Sequence, residues 1–168
     1  FSADSSSGPK RAVIVDQLSL TQPNPDFVSN VRNTLSGAGY AVDYFPGDQV
    51  TVELYRTLPK QHYDLVILRV HAGITEEIDA SSGQTTPTEY VSLFTGEPYD
   101  ESKYSASQRI GQLGKATYNS DPDGEALFAI GPRFVEESMT GGFDGATVIM
   151  MGCDGLRSQK TGQAFLNK

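Results

Sequence analysis

The fold is decided by residues 64–73, Asp-Leu-Val-Ile-Leu-Arg-Val-His-Ala-Gly (DLVILRVHAG). The first seven of these residues form a nearly continuous apolar run of strand length. Such a run is typical of a strand that is covered on both faces of a parallel sheet. His71 and Gly73 follow the run directly. Because ligands of open α/β sheets bind at the carboxyl ends of the strands, a functional site is expected there.

Three further runs resemble this one, at residues 11–16 (RAVIVD), 40–45 (YAVDYF) and 146–152 (ATVIMMG), and the last is predicted to be buried. Between the runs, helical spacing and Gly or Pro boundaries predict helices over 27–36, 50–58, 132–139 and 159–166, with Asp26 as a candidate N-cap of the first. Alternating strands and helices predict an α/β fold, a three-layer sandwich with a mostly parallel sheet between helices.

Composition excludes several classes of protein. The 168 residues carry 13 basic and 21 acidic side chains, a net charge of −8, which argues against nucleic-acid binding. Apolar runs are too short for a membrane span. A single cysteine excludes an internal disulfide and a multi-cysteine zinc site. Residues 1–10 are predicted to be a polar linker without signal-peptide features. The compartment is left open, and a secreted or cell-envelope protein is compatible with it.

The predicted domain, residues 11–168, contains an acidic insertion at about residues 75–125. The insertion holds ten acidic and three basic residues and therefore most of the net charge. Residues 89–94 and 99–104 flank Gly96-Glu97-Pro98 and are predicted to form a hairpin. We expect the insertion to decorate the more regular scaffold.

The only cysteine, Cys153, follows the fourth apolar run as His71 follows the third. If those two strands are neighbours, about 4.8 Å apart, the two side chains converge at one rim of the sheet. A thiolate is a nucleophile, and a nearby imidazole can take the thiol proton. Backbone N–H groups at Gly73 and Cys153 could stabilise an oxyanion. The alternative is an inert buried thiol and a structural histidine.

These motifs, a strand running into His71-Ala72-Gly73 and a strand running into Cys153-Asp154-Gly155, resemble the caspase-like (clan CD) cysteine peptidases, such as caspases, metacaspases, gingipains and clostripain. The resemblance covers residues 11–74 and 126–168. It implies that His71 is the acid/base, that Cys153 is the nucleophile, and that Gly73 and Cys153 form the oxyanion hole. This chain departs from the family pattern at Ala72, which separates the histidine from the glycine, and at Gly152, where Ala or Ser is common.

The resemblance also implies a specificity. Basic-specific members carry one Asp after the first strand and another two positions before the cysteine, where this chain has Asp16 and Met151. Asp16, with Asp154 as a second candidate, is therefore predicted to bind a substrate Arg or Lys, and cleavage is predicted after those residues. No cofactor is required. The segment Asp121-x-Asp123-Gly124-Glu125 could bind calcium, but its spacing is not that of an EF-hand.

The family fold normally continues beyond the helix that ends near Lys168. The sequence therefore predicts an incomplete chain that lacks the last strand or strands. The remainder would be a second chain, produced by self-processing after Lys168, or would lie beyond an artificial end.

Other classes of function are also compatible with the pattern. A catalytically inactive caspase-like binding module shares every scaffold feature. A receiver-like signalling domain is less well supported, because Arg69 occupies the position of the phosphoacceptor aspartate. An amidotransferase-like fold would require a histidine after Cys153, which this sequence lacks.

Overall fold

The computed structural model describes residues 8–78, 85–153 and 158–168, in which eight strands and five α-helices form. The strands are β1 (Lys10–Asp16), β2 (Tyr40–Pro46), β3 (Leu65–Arg69), β4 (Ala72–Ile78), β5 (Thr85–Pro98), β6 (Leu113–Ala116), β7 (Leu127–Ile130) and β8 (Thr147–Met151). The helices are α1 (Pro25–Gly37), α2 (Val52–Thr57), α3 (Ser105–Arg109), α4 (Pro132–Glu137) and α5 (Gln159–Asn167).

Four strands form a parallel sheet in the order β2-β1-β3-β8. Its centre is fully buried, with Ala12, Val13, Ile14 and Val15 of β1 each 0% exposed. Continuous burial of this kind explains why the central runs lack polar alternation. The predicted α/β class, a parallel sheet flanked by helices, is confirmed, and it is compatible with three layers.

The first helix begins two residues earlier than the sequence pattern predicts. Pro25 occupies its first turn, and the side-chain oxygen of Asn24 accepts a hydrogen bond from the Phe27 N–H at 3.0 Å. Asn24 is therefore the N-cap, and the predicted cap at Asp26 is wrong. Asp26 instead lies in the first turn, where a negative charge is favourable.

Strand β8 was expected to be buried, and this expectation is wrong. It pairs with β3, and exposed and half-buried residues alternate along it. Ile149 and Met151 are 42% and 39% exposed, whereas Ile67 on the neighbouring strand is 6% exposed. Within the described residues β8 is an edge strand, which explains why an apolar run there is only half covered.

The predicted hairpin does not form, because residues 89–94 lie within the long strand β5, which continues to Pro98. Strands β4, β5, β7 and β6 close into a small antiparallel barrel, and residues 99–104 are not strand. Gly96 marks a close passage rather than a hairpin turn. A Cβ placed on it would lie 1.8 Å from the carbonyl oxygen of Gly47, so only glycine fits. Glycine at position 96 is thus required by the close approach to Gly47, and not by the turn that the sequence predicted.

The barrel shares the core of the parallel sheet. Leu93, Phe128 and Ile130 of the barrel belong to the same buried cluster as Val13 and Leu68 of the sheet. Leu93 lies in the acidic segment, and Val91 and Leu113 of that segment belong to the same cluster. The acidic segment therefore contributes apolar side chains to the main core, and it is more than the decoration that was expected.

The helices of the described residues are all too short or too polar to cross a membrane.

Candidate functional site

Neighbouring strands bring the two predicted reactive residues to one edge of the sheet. β3 and β8 are parallel partners, with Arg69 opposite Met151. His71 and Cys153 each lie two residues beyond this pair. Both line one pocket of about 520 Å³, which we call the rim pocket. Its described lining consists of Thr21, Gln22, His71, Ala72, Gly73, Ile74, Phe94, Thr117, Tyr118, Asn119, Ser120 and Cys153.

Cys153 lies in a turn after β8, and it is exposed and free. The preceding Gly152 packs tightly against the neighbouring strand. A Cβ added there would lie 2.8 Å from the Val70 carbonyl oxygen and 3.1 Å from the Ala72 Cβ. Glycine therefore lets the chain leading to the cysteine pass close to the strand that carries the histidine, which explains why Ala or Ser is absent at this position.

His71 lies at the junction between the parallel sheet and the barrel, between the last residue of β3 and the first of β4. Its backbone N–H donates to the Gln17 side-chain oxygen at 3.0 Å, and its carbonyl accepts from the Phe94 N–H at 2.9 Å. The ring packs against those of Phe94 and Tyr118, with centroids 5.9 and 4.8 Å away. The backbone and the ring of this residue are therefore both held in place.

The imidazole Nε2 lies 2.6 Å from the Thr21 hydroxyl oxygen. Nδ1 has no hydrogen-bond partner among the described residues. Burial lowers the pKa of His71 below its ordinary value of 6.5, and the positive charge of Arg69 lowers it further. The ring is therefore neutral at pH 7 and can accept a proton.

Gln17 connects the two parts of the molecule behind His71. It is fully buried, and its amide nitrogen donates to the Thr95 carbonyl at 3.2 Å and to the Tyr118 hydroxyl at 2.8 Å. Every polar atom of the side chain is thus used to position the histidine and one wall of the pocket. Its place directly after β1 was a sequence signal. Thr21, Phe94 and Tyr118 had no comparable signal, because tertiary packing alone brings them to the site.

The register of β4 changes the assignment of the predicted oxyanion donors. The bond from Phe94 to His71 makes this pair a hydrogen-bonded pair of the antiparallel ladder. Two residues farther on, Gly73 and Ser92 are opposite and belong to the same class, so the Gly73 N–H faces Ser92. By the same alternation the Ala72 N–H faces the other edge, where Gly152 lies. The register therefore does not support Gly73 as a donor and favours Ala72.

Asp16 requires a second correction. Its side chain is 1% exposed and forms an ion pair with Arg69, whose Nη1 lies 2.5 Å from Oδ1. The Tyr44 hydroxyl donates to the other carboxylate oxygen at 3.2 Å. Both oxygens are thus occupied inside the protein, and Asp16 does not offer the free carboxylate that was predicted to bind a substrate cation.

The remaining predicted ligands are not located. Asp154 lies outside the described residues. In the described ranges, His, Cys, Asp and Glu side chains do not gather in groups of three or more that could hold a metal ion. Calcium binding by Asp121 and Asp123 therefore stays a prediction from the sequence.

Comparison with family models, with curated proteins and with solved structures gives no match for this chain. The resemblance to the caspase-like peptidases is thus carried by the motifs around His71 and Cys153 and stays a prediction.

Proposed function

We propose that the chain is a cysteine peptidase in which Cys153 is the nucleophile and His71 the acid/base. One observation carries the proposal: an exposed thiol and a neutral, oriented imidazole line the same pocket at the ends of neighbouring strands. An activated nucleophile requires an adjacent base that a third group holds in orientation, and Thr21 supplies that third group.

The contacts of His71 define its role in this mechanism. With Nε2–H donating to Thr21, the lone pair of Nδ1 takes the proton of the Cys153 thiol as sulfur attacks the peptide carbonyl. The imidazolium then gives this proton to the leaving amine, and a thioester remains. A water molecule, deprotonated by the same nitrogen, hydrolyses the thioester and regenerates the thiol.

The negative charge that develops on the carbonyl oxygen requires backbone donors. The proposal assigns them to the N–H groups of Cys153 and Ala72, since the Gly73 N–H faces Ser92 in the ladder. Ala72 also lies beside the chain that leads to the nucleophile, with its nitrogen 3.8 Å from a Cβ placed on Gly152.

The partner that the sequence predicts, a further segment of the same domain, fits the exposed side of β8. Ile149 and Met151 present apolar surface there, next to the proposed nucleophile. We include in the proposal a strand of this kind, which would cover both side chains and complete the wall of the site near Cys153.

Covalent labelling tests the proposal. Peptidyl acyloxymethyl ketones with different side chains at the recognition position are incubated with the protein, and intact mass identifies the adduct at Cys153, the sole cysteine. We expect labelling that His71→Ala lowers by about 10²-fold or more. His62→Ala is the matched control, because His62 is an exposed histidine that does not line the rim pocket. Labelling that is equal in all three proteins would refute the dyad.

A second candidate function is peptide binding without catalysis. The pocket has aromatic walls at Phe94 and Tyr118, and these could bind an apolar side chain with no contribution from the thiol. An inert Cys153, together with peptide binding that Tyr118→Ala abolishes and Cys153→Ala leaves intact, would favour this function over the peptidase.

A further inference from the structure

The residues beneath the reactive pair form a row across three strands. Arg69 is opposite Met151, and the register of β1 with β3 places Asp16 opposite Arg69, one step after Val15 and Leu68. Arg69 and Met151 each lie two residues before a residue that lines the rim pocket, His71 or Cys153, and the charge of Arg69 acts on the His71 imidazole. Asp16, Arg69 and Met151, which we call the floor row, thus lie next to the rim pocket.

Arg69 occupies the centre of this row, and both of its terminal nitrogens bind groups of the protein itself. Nη1 binds the Asp16 carboxylate at 2.5 Å, and Nη2 donates to the Gln22 carbonyl at 2.6 Å. The guanidinium also lies over the ring of Phe27, 5.7 Å from its centroid. The two charged side chains are 9% and 1% exposed, so each is the other's main charge partner.

The rim pocket itself is uncharged in its described part. Gln22 connects the floor row to the rim pocket. It lines the pocket, and its backbone carbonyl accepts a hydrogen bond from Arg69. The described lining contains the apolar or aromatic side chains of Ile74, Phe94 and Tyr118 and includes no Asp or Glu. A cationic substrate side chain that entered the pocket would meet these walls and, on the far side of Gln22, the like charge of Arg69.

We propose that Arg69 is a specificity-determining residue. It is a resident guanidinium that fills the carboxylate site of Asp16, so that the pocket accepts uncharged side chains and rejects Arg and Lys. This inference rests on the proposed peptidase function. In the described part of the pocket, an entering cation would lose its hydration without gaining a carboxylate, and this is a means of excluding a ligand as well as of selecting one.

The first test is the side-chain preference of the wild-type protein. Acyloxymethyl ketones that differ only at the recognition position, with Phe, Leu, Gln, Arg or Lys, are compared by their rates of labelling Cys153. We expect uncharged side chains to be labelled faster than Arg and Lys by about tenfold or more. Equal or faster labelling by the Arg or Lys reagent would overturn the proposal, and this result requires no variant to fold.

The second test removes the resident cation. Arg69→Gly frees the Asp16 carboxylate, so we expect labelling by the arginyl reagent to rise by about tenfold. The double variant Arg69→Gly/Asp16→Asn should lose this gain. Arg69→Lys keeps the charge and should keep the wild-type preference. A folded Arg69→Gly protein whose preference is unchanged would contradict the role of Arg69.

A third measurement does not depend on catalysis. In a Cys153→Ala background, methylguanidinium should raise the melting temperature of Arg69→Gly but leave Arg69→Gly/Asp16→Asn unchanged. If no reagent labels the wild-type protein, the peptidase proposal fails. The melting temperature still reports whether methylguanidinium binds at the site that the Arg69 side chain has left. Absence of stabilisation in a folded Arg69→Gly protein would refute the Arg69 proposal alone.

Discussion

The two halves of the candidate site differ in how firmly the fold holds them. His71 lies at the junction of two sheets, with its backbone, ring and Nε2 all in contact with neighbours. Cys153 follows β8, the outermost strand of the sheet that the described residues form, and is exposed. The proposed base is therefore preorganised by the fold, whereas the position of the proposed nucleophile depends on one strand pairing and on the glycine before it. The fold therefore fixes the position of His71 more precisely than that of Cys153.

The largest effect on stability is expected from a substitution in the core that the barrel shares with the parallel sheet. Phe128 is fully buried in the cluster that both parts share. Phe128→Ala should lower the free energy of unfolding by about 3–5 kcal/mol, while Ile149→Ala on the exposed side of β8 should cost less than about 1 kcal/mol. Urea denaturation followed by circular dichroism measures both. Two separate transitions, or a small effect at Phe128, would show that the barrel is not part of the common core.

The next largest effect is expected at Gln17, whose side chain binds the backbone of His71 and the hydroxyl of Tyr118. Gln17→Leu leaves the His71 N–H and the Tyr118 hydroxyl without this partner. We expect the protein to lose about 1–3 kcal/mol of stability and labelling of Cys153 to slow, because the imidazole is no longer held. Gln49→Leu, at an exposed glutamine, is the control. Unchanged labelling in a stable Gln17→Leu protein would mean that the histidine side is not preorganised by this contact.

A smaller effect is expected at the imidazole itself. Thr21→Val removes the hydroxyl that lies 2.6 Å from Nε2 and keeps the shape of the side chain. Loss of one hydrogen bond should lower the free energy of unfolding by about 1 kcal/mol. Labelling should also fall, and Thr21→Ser should restore it. If Thr21→Val and Thr21→Ser behaved alike, the hydroxyl would not be the orienting group.

The smallest effect is on the pH dependence of stability. Because burial and Arg69 lower the pKa of His71, the unfolded chain binds a proton in a range where the folded protein does not. The stability that this adds is present above the ordinary pKa of 6.5 and is lost as pH falls through the lowered value. His71→Gln should therefore flatten the rise of unfolding free energy as the pH increases towards 6.5. A steeper rise in the variant would reverse the assigned sign.

The sequence pattern predicts the parallel sheet well, because continuous apolar runs such as 11–16 are enforced by burial on both faces. It does not predict the barrel, whose strands β6 and β7 have four residues each and pair at long range. Gly96 also misled the interpretation, since a close backbone passage and a turn demand the same residue.

Some residues of the candidate site could likewise be predicted from the sequence, and others could not. His71 and Cys153 could be selected because they follow apolar runs, which is a local property of the sequence. The pairing of Asp16 with Arg69 could not be predicted, because it depends on which strand lies beside β1. The same holds for Thr21 and Tyr118, which approach the imidazole only after the sheet and the barrel have packed together.

The central claim is that the imidazole of His71 activates the thiol of Cys153. The most direct measurement is the second-order rate of alkylation of this single cysteine by iodoacetamide, which needs no peptide recognition, across pH in wild type, His71→Ala and His62→Ala. We predict that at neutral pH His71→Ala reacts about tenfold or more slowly than wild type, while His62→Ala follows the wild-type curve. Superimposable curves for all three proteins would contradict the claim.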